Sequence, residues 1–134
     1  MRVSLTGIVN AQPNTETTWP AAPALVPQRL VLTWGAHEME VTQKRPSLSV
    51  GRGETNGIVI KSDKVSRLHA RIDYRNGHFA LTDQSSNGTY VADSAGTTYK
   101  VNNETHVLMG KGTISFGIDP AAGQPSLVRY AVQP

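Results

Sequence analysis

The chain has 134 residues, no cysteine, 38% hydrophobic and 6% aromatic residues, and a formal charge of +3 with a pI near 9.5. That length suits one domain with an ordinary core, and the missing thiols exclude disulfides, cysteine nucleophiles and the common thiolate zinc sites. No apolar run approaches the roughly 20 residues of a membrane span, so no membrane insertion is expected, and the surplus of cations points to an acidic partner.

Residues 1–27 read as a flexible arm or linker. Pro13, Pro20, Pro23 and Pro27 lie among Ala, Thr, Asn and Gln, with no period and almost no charge. Such a segment cannot bury enough apolar area to offset its ordering entropy. Met1–Asn10 lacks the continuous apolar stretch of a signal peptide, and a chain without cysteine fits a reducing, cytoplasmic setting. Within the arm, Thr15-Glu16-Thr17-Thr18 forms an island of threonines.

From Gln28 the texture changes to short alternating runs. Leu30, Leu32 and Trp34 share one parity, then Met39 and Val41, Leu48 and Val50, Ile58 and Ile60, and Ala70, Ile72 and Tyr74. This is the period of half-buried strands. Asn76-Gly77 then separates Tyr74-Arg75 from His78-Phe79, a two-residue signal for a hairpin whose turn needs φ > 0 twice. Phe79 and Leu81 continue the returning strand. Later runs are Thr89–Val91, Tyr99–Val101, Val107–Met109, Ile114–Phe116 and Leu127–Val132. No helical stripe of useful length occurs. Many short strands between Gly and Asn turns argue for an all-β sandwich or barrel, and the pattern alone does not choose between them. The triplets Asn87-Gly88-Thr89 and Asn103-Glu104-Thr105 resemble glycosylation acceptors, but without a secretion signal they read as turn composition.

The charge is concentrated. Lys44, Arg45, Arg52, Lys61, Lys64, Arg67 and Arg71 face only Glu54 and Asp63 over that stretch. A solvated basic face, a phosphate site and a nucleic-acid face all share this look. Aromatics are not interleaved with the cations, which counts against a single-strand stacking platform.

Three motifs sit at strand ends or in turns. Gly51-Arg52 closes the run Leu48–Val50. Ser66-Arg67-Leu68-His69 precedes the run through Ile72, with Ser66 fourteen residues after Arg52. Asp83-Gln84-Ser85-Ser86-Asn87-Gly88-Thr89 follows the hairpin, with Asp83 fourteen residues after His69. Chemically, Arg52 offers a planar fork for two phosphate oxygens, Arg67 a second cation, and Ser66 and Ser86 compact hydroxyl donors. Asn87 carries an amide that both donates and accepts.

In order and spacing these motifs resemble the forkhead-associated (FHA) domain family, over roughly residues 28–132. The resemblance implies an FHA-type β-sandwich of about eleven short strands, occupying 28–134 after the arm. It implies a module that binds phosphothreonine-containing proteins downstream of a Ser/Thr protein kinase. It assigns phosphopeptide contact to Arg52, Ser66, Arg67, Ser86 and Asn87, and support of the site to Gly51, His69, Asp83 and Gly88. Lys64, Thr55 and Asn56 become candidates for reading the peptide flank, the lysine favouring an acidic residue. Some small bacterial members carry a similar Glu-Thr-Thr segment whose phosphorylated threonine docks into the protein's own site. Thr17 and Thr18 are therefore candidate phosphorylation sites for intramolecular docking of the arm. Linker and motifs also look similar to C-terminal modules of larger bacterial signalling proteins, nucleotide cyclases included.

Other classes fit less well. Gly51-Arg52-Gly53 and Gly57 lack the spacing of a nucleotide loop, and no helix signal follows them. His37, His69, His78 and His106 are scattered without metal-ligand spacing, and no nucleophile elbow is present. The expectation is a non-enzyme with no cofactor, no metal and no nucleic-acid partner. An FHA fold used for phosphate-independent protein contact, or as the regulatory module of a larger enzyme, is the alternative.

Overall fold

The computed structural model describes residues 28–121 and 127–134. Their eleven strands are β1 (Arg29–Trp34), β2 (His37–Val41), β3 (Ser47–Gly51), β4 (Ile58–Val59), β5 (Ala70–Arg75), β6 (His78–Asp83), β7 (Thr89–Asp93), β8 (Thr98–Val101), β9 (Thr105–Leu108), β10 (Lys111–Phe116) and β11 (Leu127–Gln133). They make a six-stranded sheet in the order β2-β1-β11-β10-β7-β8 and a five-stranded sheet in the order β4-β3-β5-β6-β9. The pairings are antiparallel except for the two-residue contact of β3 with β4. This is the sandwich that the resemblance implied.

Parity decides what each strand buries. Leu30 and Leu32, Val50, Ala70 and Ile72, Phe79 and Leu81, Val91, Ile114 and Phe116, and Val128 and Tyr130 fill the space between the sheets. Phe79 and Phe116 are each 1% exposed, and truncation of such a ring typically costs about 3–5 kcal/mol. Tyr130 stands opposite Gly112 on the neighbouring strand, and its ring lies 3.0 Å from where a Cβ on that glycine would be. The aromatic covers the backbone that the glycine leaves bare.

The hairpin forms as the sequence indicates. Asn76 and Gly77 have φ of 53° and 78°, and Arg75 pairs with His78. Two expected strand residues, Ile60 and Met109, fall outside their strands. β4 stops at Val59, although buried Ile60 still donates its N–H to the Gly51 carbonyl at 3.0 Å. Met109 lies beyond β9 and is exposed. Tyr99 lies in β8 as expected and is exposed, because β8 is a sheet edge among the described residues; its ring rests on His106, centroids 5.0 Å apart.

The strand ends position the site. β3, β6 and β10 finish, and β5 and β7 begin, at one end of the sandwich, where the connections after β3, β4, β6 and β10 touch one another.

Candidate functional site

Two connections are laced together at Gly51. A side chain at this position would run into the backbone carbonyl of Arg67, so a glycine there lets the strand and the loop meet. Beyond it, Arg52 N–H donates to Ser66 O at 2.8 Å and Gly53 N–H to Arg67 O at 3.1 Å. The Arg52 side chain is aimed from below, because its Nε donates to Val65 O at 3.0 Å. Val65 is itself buried, which anchors that acceptor. The two terminal nitrogens of Arg52 have no acceptor among the described residues. Asn56 completes the lacing, donating Nδ2 to Gly53 O and Arg67 O, both at 2.7 Å.

His69 joins this pair of loops to the third. Its backbone N–H donates to Val50 O at 2.8 Å. Its Nδ1 accepts from the Ser66 N–H at 3.0 Å, so the ring hydrogen sits on Nε2 and donates to Gly88 O at 2.8 Å. The ring is fully buried and stands edge-on to Phe116, centroids 5.5 Å apart. Burial pushes its pKa below the ordinary imidazole value; the Gly88 hydrogen bond and the Asp83 charge pull only partly the other way. With both nitrogens occupied, the ring has neither lone pair nor N–H left for substrate or metal.

Asp83, 2% exposed, organises the turn after β6. Its carboxylate accepts from Ser85 Oγ at 2.7 Å, Thr89 Oγ at 2.7 Å and Asn103 N–H at 2.8 Å. Ser85 Oγ in turn accepts the Gly88 N–H at 2.7 Å. Gly88 holds φ at +86°, which turns the chain back into β7. The residues between are thereby presented outward. Ser86 N–H donates to Ser66 Oγ at 3.2 Å, and Asn87 Nδ2 donates to Lys64 O at 2.8 Å.

Arg52, Ser66, Arg67, Ser86 and Asn87 thus come from three connections into one cluster, held by direct hydrogen bonds. Gly51, His69, Asp83 and Gly88 lie beneath or beside them. Lys64 joins through its carbonyl and has an exposed side chain. Thr55 is exposed, and Asn56 has both amide hydrogens engaged with backbone, a bracing that its sequence position alone did not show. Thr17 and Thr18 lie outside the described residues. Sequence reasoning missed the bracing by Ser85 and Thr89. The signal was present: a serine two residues after an aspartate is a turn pattern, and Thr89 opens a strand with its hydroxyl at hydrogen-bond reach of that same acid. The resulting surface draws on two arginines and two serine hydroxyls, and the Glu54 carboxylate is paired to Lys61 at 3.0 Å. It is suited to a dianion.

Comparison with known proteins places this arrangement. In Arabidopsis thaliana, chloroplastic zeaxanthin epoxidase is 42% identical over 67 residues, covering 48% of this chain and 10% of that protein. The chain spans about a tenth of the length of the curated relatives it matches. Among solved structures, Mycobacterium tuberculosis Rv1747 FHA-1 aligns with a TM-score of 0.62 at 18% identity, covering 81% of this chain and 100% of that one. The MEK1 FHA domain in complex with a HOP1 phosphothreonine peptide aligns with a TM-score of 0.55 at 19% identity, covering 78% and 94%. A family model for the FHA domain matches residues 48–117. That match runs from β3 to the residue after β10 and encloses all three loop motifs, over more than half of the chain: the protein belongs to the FHA domain family.

Proposed function

We propose that this chain is a phosphothreonine-peptide-binding module acting in Ser/Thr-kinase-dependent signalling, without catalysis of its own. The observation that carries the reading is the convergence of Arg52, Ser66 and Ser86, from three separate connections, on one hydrogen-bonded cluster whose outward donors lack acceptors among the described residues. Arg52 would take two phosphate oxygens with its fork, Ser66 and Ser86 would donate hydroxyls, and Arg67 would add a cation. Asn87 keeps its carbonyl and one amide hydrogen for the peptide main chain. Lys64 would favour an acidic flank, and Thr55 and Asn56 would touch it from the connection after β3. The partner is a phosphorylated protein, not a nucleic acid, in a cytoplasmic and bacterial setting.

The domain itself is taken as residues 28–134, with 1–27 as an arm. Phosphorylated Thr17 or Thr18 would dock into the same site. About ten residues separate them from β1, a reach of roughly 33 Å when extended, and a tether supplies about millimolar effective concentration. A second reading has one observation behind it. The matched segment is a small part of much longer relatives named as an enzyme, so the domain could equally serve as the regulatory module of a larger catalytic chain, such as a nucleotide cyclase.

The test is a titration with one peptide in three forms: phosphothreonine, phosphoserine and unphosphorylated. The phosphothreonine form should bind, the unphosphorylated form should not, and phosphoserine should bind several-fold more weakly. Burying the extra methyl contributes about 0.8 kcal/mol, and the stiffer side chain lowers the ordering cost. Equal affinities of the two phosphorylated forms would leave only anion attraction.

A further inference from the structure

Lys100 belongs to none of the motifs. It lies in β8 opposite Tyr90, so its side chain and that of Tyr90 share the outer face of the six-stranded sheet. The stem does not stand upright there. Its Cε lies 3.0 Å, and its Cγ 3.8 Å, from the point where a Cβ on Gly88 would be. Lysine therefore leans diagonally across the ladder toward the connection after β6, occupying the space that a glycine leaves open. The ammonium is 5.7 Å from the centroid of the Tyr90 ring, which holds it on this side without neutralising it. Among the described residues it has no carboxylate partner. Its neighbour Gly88 directly follows Asn87, whose amide already reaches Lys64 O at 2.8 Å. Contacts thus run in one series from Arg52 through Ser66 and Ser86 to Asn87, Gly88 and Lys100.

We infer that Lys100 is a specificity residue that reads an acidic side chain of the bound peptide, beyond the residue gripped by Asn87. The inference rests on the phosphopeptide reading above and adds a second reader, on a strand rather than on the loops. A ligand laid along the series meets the proposed phosphate donors first, then the Asn87 amide, then an ammonium whose stem lies against Gly88 and whose charge is unpaired among the described residues. A peptide aspartate or glutamate there gains a partner; a lysine meets repulsion.

The experiment uses the full chain and a phosphothreonine peptide in which each flanking position is set in turn to Asp, Asn or Lys. In the unsubstituted protein one position should show Asp binding about threefold tighter than Asn, the size expected of a surface ion pair. Lys100→Met keeps the stem over Gly88 and should erase that preference, leaving the Asn peptide within about twofold of its original affinity. Lys100→Glu should reverse it, so that Lys binds more tightly than Asp. Lys64→Met should leave the preference at this position intact. Survival of the preference in Lys100→Met, its loss in Lys64→Met, or an equal loss for all three peptides overturns the inference. Failure of the underlying reading looks different: every peptide would bind irrespective of its phosphate, and Arg52→Ala would change nothing.

Discussion

The Asp83 carboxylate is 2% exposed and accepts three hydrogen bonds of 2.7–2.8 Å from Ser85, Thr89 and Asn103. Asp83→Ala would leave these buried donors without an acceptor, so it should cost about 3 kcal/mol of stability. Denaturant unfolding measures this directly, and a loss below about 1 kcal/mol would show that the turn relaxes without the acid. His69 makes a prediction about pH. Its folded pKa is depressed, chiefly by burial, so the unfolded chain binds the proton more readily than the folded one. The stability tied to neutral His69 is therefore complete above the ordinary imidazole value near 6.5 and is lost as pH falls from there toward the lower folded value. Protonation would also place a hydrogen on Nδ1, facing the Ser66 N–H, and break the bond that shapes the loop carrying Ser66. His106 is depressed by burial too and adds stability of the same sign, so the assignment needs residue resolution. An NMR titration should show the His69 ring titrating below the ordinary imidazole value, with the Ser66 amide moving with it on acidification. A His69 that titrates at or above the ordinary value would contradict this account.

At the scale of elements, two glycines separate folding from binding. Gly77 completes the β5–β6 turn with φ of 78° and lies away from the cluster. Gly77→Ala should lower stability by about 1 kcal/mol, the cost of a left-handed Cβ, and leave peptide affinity unchanged. Gly51→Ala should weaken binding as well, because its Cβ would force the Arg67 carbonyl away and open the two-bond lacing of Arg52 and Gly53. Parallel thermal melts and titrations distinguish the two patterns. These elements also show what a sequence can disclose. The Asn76-Gly77 hairpin and the alternation of Ala70, Ile72 and Tyr74 are local, so the strands they define were legible. Alternation alone does not tell an edge strand such as β8 from a central one, because edge position depends on which strands become neighbours. The bracing by Asn56 was not legible, because its two acceptors, on Gly53 and Arg67, come together only after the loops meet.

Across the whole molecule, one end of the sandwich gathers the loops while the core holds them from below. β1 begins at Arg29 and is paired on both sides, with β2 and with β11. A chain beginning at residue 28 should therefore fold with unchanged stability and bind phosphopeptide as well as the full chain does, provided the arm is unphosphorylated. The cluster was legible because its arginines and serines sit in short motifs at strand ends, whereas Lys100 was invisible until β8 paired with β7 and brought it over Gly88. In the proposed function Arg52 captures the phosphate. Calorimetric titration of a phosphothreonine peptide against the native chain and Arg52→Ala tests it most directly. Arg52→Ala should lose at least about 2–3 kcal/mol of binding, the worth of a desolvated charge-assisted pair, with the melting curve nearly unmoved. Unchanged affinity in a folded Arg52→Ala protein would contradict it.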